Sequence, residues 1–219
     1  MTEAVTNTAR DAVLRKVRAA NGGASDAAKT NAEWNMLARG YRKAGRLGRE
    51  ELLELLADRL RDYDARVLRA AEGDVARCAA EMMRERGVLR TVVPAGLQAE
   101  WMPVGVEFVL DDELPSAQLD AIDGVMTGAA VAIAETGTVV LQNVAGQGRR
   151  AATLVPDYHL CVVRVCDVVE TVPEAFERLE KTSELATTFV SGPSATADIE
   201  MTRIKGVHGP RFLDVILVG

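Results

Sequence analysis

The sequence predicts an α/β fold with a mostly parallel sheet that carries helices on both faces. Three observations point to it. From residue 89 to the end, short apolar runs alternate with brief helical patterns and turns. One run, Tyr158-His-Leu-Cys-Val-Val-Arg-Val165, is almost continuously apolar, as a strand buried on both faces is. Ahead of residue 89 the pattern is helical, so a helical arm precedes the sheet. The domain reading is 1–33 as an N-terminal helix and mobile connector, 34–88 as a helical segment packed on the main domain, and 89–219 as the α/β core.

Taken in order, Thr8 to Ala20 sets Val13, Leu14 and Val17 on one helical face and stops at Asn21-Gly22-Gly23. Residues 21–33 are small and polar and read as a connector. Trp34 to Gly45 is a short basic stretch in which Tyr41-Arg42 is either a ligand contact or a packed anchor. Leu52, Leu56, Leu60, Tyr63, Val67 and Ala70 recur at three- and four-residue steps, which predicts one helix from Arg49 to Ala71. Asp74 is placed to cap a second helix that runs to Arg86 and ends at Gly87. Strands follow at Arg90–Pro94, Val106–Leu110, within Asp123–Ala134, at Val139–Leu141, Tyr158–Val165 and Asp214–Val218. Short helices are expected at Ser116–Ile122 and from Thr171 or Val172, the latter with Pro173 at its first position.

The chain has 219 residues, of which 48% are apolar and 26% charged, a composition ordinary for a globular protein. Net charge is −6 and unevenly placed: residues 1–90 carry +4 and residues 91–219 carry −10. The basic half carries only three aromatics, Trp34, Tyr41 and Tyr63, so it reads as a solvated helical face or a docking surface, with no nucleic-acid partner expected. The three cysteines, Cys78, Cys161 and Cys166, do not form a zinc pattern, a disulfide framework or an iron–sulfur run. No bound metal and no cofactor of the chain's own are expected. With no long apolar span and no signal peptide, the expectation is a cytoplasmic protein with no membrane span.

Four stretches could carry chemistry. Ala134-Glu-Thr-Gly-Thr138 sets a carboxylate before a hydroxyl-rich turn. Glu135 could act as base or nucleophile, and Thr136, Gly137 and Thr138 could hold an anion. The other reading is a hairpin turn with a solvated Glu135. Ser191 to Arg211 packs two Gly-Pro dipeptides, clustered hydroxyls and His208 into one connection. Here Pro193 or Ser194 could open a helix whose amides face an anion, with Ser191, Gly192, Ser194, Thr196 and Asp198 as contacts. Asp198 and Glu200 would already place negative charge in that turn. His208 could serve as acid or base, with Arg211 as a fixed positive partner. The other reading is a polar connection that only caps and turns. Gly146-Gln-Gly-Arg-Arg150 could close over an anionic substrate or be a surface turn. His159, inside an apolar strand, reads as a core or sheet-end residue.

Together, AIAETGT at 132–138, LVPDYHLCVV at 154–163, FVSGPSATADIE at 189–200 and KGVHGPR at 205–211 resemble the LUD domain family, within it the lactate utilisation protein C (LutC/YkgG) branch. YRKAG at 41–45 is an upstream element of the same likeness. One departure is Ala195, where the family commonly has Arg. The resemblance implies a three-layer α/β sandwich similar to the NagB/RpiA/CoA-transferase-like group. It implies a part in L-lactate oxidation, with partners that carry iron–sulfur clusters and a polar anion pocket at the strand ends. Two other functions stay open. One is a stand-alone enzyme on a phosphate-, CoA- or folate-type substrate with Glu135 as base or nucleophile. The other is a non-catalytic interaction module.

Overall fold

The computed structural model describes residues 8–22, 26–196, 204–206 and 208–219. It divides into two compact units, Met1–Tyr41 and Arg42–Gly219. The first holds α1 (Thr8–Ala20) and α2 (Ala27–Met36). The second helix falls largely in the stretch read as a connector. Asp26 starts it: its carboxylate accepts from the amides of Ala28 at 2.9 Å and Lys29 at 3.3 Å. No residue of α2 is buried, so it carries no apolar stripe for a periodicity reading to find.

The second unit opens with α3 (Arg49–Asp62), β1 (Arg66–Ala70), α4 (Val75–Arg86), β2 (Arg90–Val93) and β3 (Glu107–Leu110). Next come α5 (Ser116–Asp120), β4 (Gly124–Gly128), β5 (Val131–Ile133), β6 (Thr138–Gln142), α6 (Arg150–Leu154) and β7 (Tyr158–Arg164). It closes with β8 (Val168–Val169), α7 (Val172–Leu179), β9 (Thr187–Val190), β10 (Ala195–Thr196), β11 (Ile204–Lys205) and β12 (Phe212–Val218).

Six strands form the main sheet in the order β1-β12-β7-β4-β2-β3, and every neighbouring pair is parallel. The last strand therefore sits inside the sheet. A second sheet, β8-β5-β6-β9, mixes parallel and antiparallel pairs. Side chains alternate across a strand, and the core follows that alternation. Leu160, Val162, Ile216 and Val218 pack on Val75, Ala79, Met82 and Met83 of α4. Their neighbours Cys161, Val163, Leu213, Val215 and Leu217 face the other way, onto Leu53, Leu56 and Leu60 of α3 and Ala132, Val139 and Val168 of the second sheet. The outer residues Val131, Ile133, Val140 and Val169 of that sheet meet Ala175 and Leu179 of α7. The mostly parallel α/β architecture is as expected, and Tyr158–Val163 is buried throughout.

The predicted helix from Arg49 to Ala71 is two elements. It ends at Asp62, and Val67 and Ala70 belong to the edge strand β1. The chain turns at Asp64, whose φ of 65° is left-handed, and the Ala65 amide closes the turn on Leu60 O at 3.0 Å. Asp is one of the few non-glycine residues that takes this conformation readily. The apolar spacing runs through the turn, which is why periodicity alone overran it.

The last turn of α3 organises two loops. A Cβ on Gly137 would lie 2.9 Å from the Arg59 backbone, and one on Gly192 would lie 2.4 Å from Tyr63 Cβ. Both glycines have left-handed φ, 58° and 78°. Gly192→Ala therefore combines a strained backbone with a clash. It should lose about 2–4 kcal/mol in urea unfolding. Gly73→Ala, with open space around it and no positive φ, should stay within about 0.5 kcal/mol of wild type. Equal midpoints for the two variants would contradict this packing.

Candidate functional site

A cavity of about 280 Å³ opens where the amino-terminal ends of β7 and β12 meet the second sheet. His159 and Leu213, opposite each other in the β7–β12 register, line it. β9 and the Ser191–Ala195 segment form one wall, α6 another through Arg150, Thr153 and Leu154, and His208–Pro210 a third. The carboxyl-terminal edge, where parallel sheets commonly bind ligands, is occupied differently. There Gly146 O accepts from Gly128 N at 2.7 Å, and Gly146 N donates to Ala95 O at 2.8 Å. The Gly146–Arg150 loop is thus tied down onto two strand ends. Arg149 is used internally, donating to Asp111 at 2.8 and 2.9 Å and to Leu114 O at 2.6 Å.

The structure brings several of the expected site residues to this cavity. Ser191, Gly192, Ser194 and His208 line it. Ser194 Oγ accepts from the His208 amide at 2.9 Å, and Ser194 N donates to Pro210 O at 2.8 Å. Gly206 N donates to Ser194 O at 3.0 Å, so both ends of the Ser191–Arg211 connection close on Ser194. No helix opens at Pro193 or Ser194: β10 pairs antiparallel with β11, Ala195 opposite Lys205 and Thr196 opposite Ile204. The expected helix-terminal anion cradle is replaced by this hairpin, because the backbone groups at Ser194 are spent on the returning strand. Thr196 lies in β10, while Asp198 and Glu200 fall outside the described residues.

The Glu135–Thr138 turn reaches the cavity through hydroxyls. Thr138 Oγ1 lies 2.7 Å from Thr136 Oγ1 and 2.7 Å from Ser191 Oγ. Thr138 is buried, and Gly137 is taken up by its approach to α3. The Glu135 carboxylate is not among the cavity's lining groups. It pairs with Arg42, which also pairs with Glu170. Arg211 is engaged as well, donating through Nε to both Asp157 oxygens at 2.6 and 2.8 Å. That hydrogen bonding holds the Asp157 carboxyl below its usual range.

Two groups emerge: Arg150, from the loop read either as closing over an anionic substrate or as a surface turn, and His159, read as a core or sheet-end residue. Arg150 lines the cavity and makes no ion pair among the described residues, and no lining residue is acidic. The cavity's cation thus comes from α6, while Ala195, where the family resemblance expects Arg, offers only a methyl group. His159 is 1% exposed, and burial pushes its imidazole down to about 4, so it is neutral near pH 7. The Arg149-Arg150 pair was visible as charge, but the opposite destinations of its two members depend on Asp111, distant in sequence. Among the described residues no cluster of His, Cys, Asp or Glu is arranged to hold a metal, and no helix is long and apolar enough to cross a membrane.

Glu170 is a carboxylate held inside the protein by its own cradle of donors. Its carboxylate accepts from Arg46 N at 2.5 Å and Leu47 N at 2.8 Å and pairs with Arg42. Burial by itself would raise the carboxyl, but the amides and the guanidinium outweigh it and hold it at about 2. A folded-state value below the unfolded one contributes stability above the unfolded pKa that disappears as pH falls through the folded one. Wild type should therefore exceed Glu170→Gln in urea stability at pH 7, with the gap closing from about pH 5 toward pH 2. A gap independent of pH would contradict the cradle.

The LUD domain family matches residues 3–218. A "Lactate utilization protein C" from Deinococcus radiodurans is 45% identical over 177 residues, 79% of this chain and 82% of that protein. One of the same name from Shouchella clausii is 33% identical over 46% of this chain and 45% of its own. "Uncharacterized protein YkgG" from Escherichia coli is 36% identical over 36% of each. Among solved structures, a DUF162 family protein from Deinococcus radiodurans is similar with a TM-score of 0.70 and 39% identity, covering 80% of this chain and all of that one.

Proposed function

The chain belongs to the LUD domain family, and from that premise we propose that it serves lactate utilisation as a subunit or accessory protein of an iron–sulfur-dependent L-lactate oxidation system. In this role it holds a small carboxylate in the cavity beside Arg150. The lactate part of the reading rests on the name of the Deinococcus relative, which matches most of both chains. The observation that carries the binding part is Arg150: among the described residues it is a cation without a carboxylate partner, on a cavity whose described lining has no acidic residue. A guanidinium so placed is suited to a planar carboxylate. The volume, about 280 Å³, is at the small end of ligand pockets, roughly 300–1,000 Å³. It suits a small acid better than a CoA thioester or a folate.

Redox centres belong to partner chains in this reading. Cys78 and Cys161 are buried in separate core clusters and Cys166 is exposed, so the three thiols do not converge as cluster ligands do. The stand-alone enzyme reading has weaker support, because Glu135 is engaged by Arg42 and set away from the cavity lining.

Calorimetric titration with L-lactate should give saturable binding that weakens about 10- to 100-fold in Arg150→Ala, with partial recovery in Arg150→Lys. Equal affinity in all three proteins would remove Arg150 from the site. Separately, tagged protein isolated from lactate-grown cells should bring down chains with the broad visible absorbance of iron–sulfur clusters. Recovery of the chain alone, under conditions that preserve complexes, would argue against the subunit role.

A further inference from the structure

Beneath the cavity three buried side chains form an ordered hydrogen-bonded chain. β4 and β7 are paired with Val125 opposite His159 and Thr127 opposite Cys161. Alternation puts His159, Thr127 and Cys161 on one face of the sheet, the face turned toward α3 and the second sheet. His159 is 1% exposed, and Thr127 and Cys161 are 0% exposed. Thr127 Oγ1 lies 2.8 Å from His159 Nε2 and donates to Cys161 Sγ at 3.8 Å. Cys161 Sγ in turn donates to Gly128 O at 3.6 Å.

Each of these groups has a limited number of protons to give. A thiol has one and a hydroxyl has one. The Cys161 proton goes to the Gly128 carbonyl, and the Thr127 proton goes to the sulfur. With both of those protons given in that order, the 2.8 Å contact between Thr127 and His159 uses the imidazole proton. That places the proton on Nε2 and leaves Nδ1 with a lone pair. Nδ1 has no hydrogen-bond partner among the described residues, although His159 lines the cavity. Burial keeps the ring neutral, since its pKa is pushed down to about 4.

We propose that His159 Nδ1 accepts the hydroxyl proton of a 2-hydroxy acid whose carboxylate meets Arg150, so that the cavity selects the hydroxy acid over the matching 2-oxo acid. This rests on the cavity being the acid site described under the proposed function. A 2-oxo acid brings a carbonyl oxygen with no proton to give, and it would set that oxygen against the imidazole lone pair. A site built around one such hydrogen bond rejects the analogue that lacks the donor, because a buried polar atom is left unpaired. Thr127 and Cys161 act here as positioning residues, through the tautomer that they impose.

The test compares L-lactate, pyruvate and propionate as ligands of the full chain, together with the His159 tautomer read from two-bond proton–nitrogen correlations in NMR. Lactate is expected to bind about tenfold more tightly than either of the others, with the proton on Nε2. Thr127→Val should leave propionate affinity unchanged and abolish the advantage of lactate. If that variant does not fold, the wild-type tautomer and the ranking of the three acids decide the matter. Should all three acids bind alike and depend on Arg150, the cavity reading stands and the selectivity proposal falls. Tighter binding of pyruvate, or a proton on Nδ1, overturns the proposal. Failure of every acid to bind removes the cavity reading itself, and the proposal with it.

Discussion

The pairing of the last strand, Phe212–Val218, with Tyr158–Arg164 is the contact on which the rest depends. Seven consecutive pairs hold the two strands in parallel register, from Phe212 opposite Tyr158 to Val218 opposite Arg164. Their side chains are buried on both faces, against α4 on one and against α3 and the second sheet on the other. A slip of one residue would send each of these side chains to the wrong face. The same register sets His159 beside Leu213 and brings Asp157 to Arg211. The cavity lies where it does because the chain must return to this edge before its last strand can enter the sheet.

That constraint recasts the glycine-rich loops. Gly137 and Gly192 sit in stretches that look like ligand loops, yet each is small because the last turn of α3 comes close. Gly146 likewise bonds to two strand ends at the carboxyl-terminal edge. The glycines thereby hold the frame, and the groups left to meet a ligand are side chains: Arg150, Ser191, Ser194, His159 and His208. The polar connection from Thr136 through Thr138 to Ser191 ties the Glu135–Thr138 turn to the cavity wall across 53 residues of sequence.

Much of the fold was legible in the sequence because it rests on burial. The apolar run at Tyr158 announced a central strand, and the helix expected from Thr171 or Val172 is α7, which Thr171 and Glu174 close with a capping box. What escaped was set by single residues or by distant partners. The turn at Asp64 depends on one left-handed residue inside a helical rhythm. α2 depends on an Asp26 cap with no buried face. At the site, the Ser191–Arg211 connection was recognised, but its hairpin form depends on backbone pairing with residues yet to come in the chain. Glu135 and Arg211 looked available because Arg42 and Asp157, which engage them, lie far away in sequence. His159 was set aside as a core residue. It is buried, as expected, and it also forms part of the cavity lining.

The acid site proposed for this chain lies at the amino-terminal edge of the sheet, at Arg150 and His159. A crystal structure of the protein soaked with L-lactate tests it most directly. Ordered ligand density is expected in the cavity between α6, β9 and the His208–Pro210 segment, with the carboxylate against the Arg150 guanidinium. Lactate bound instead at the carboxyl-terminal edge, among Pro94–Gly96 and Asn143–Gly148, with this cavity empty, would contradict it.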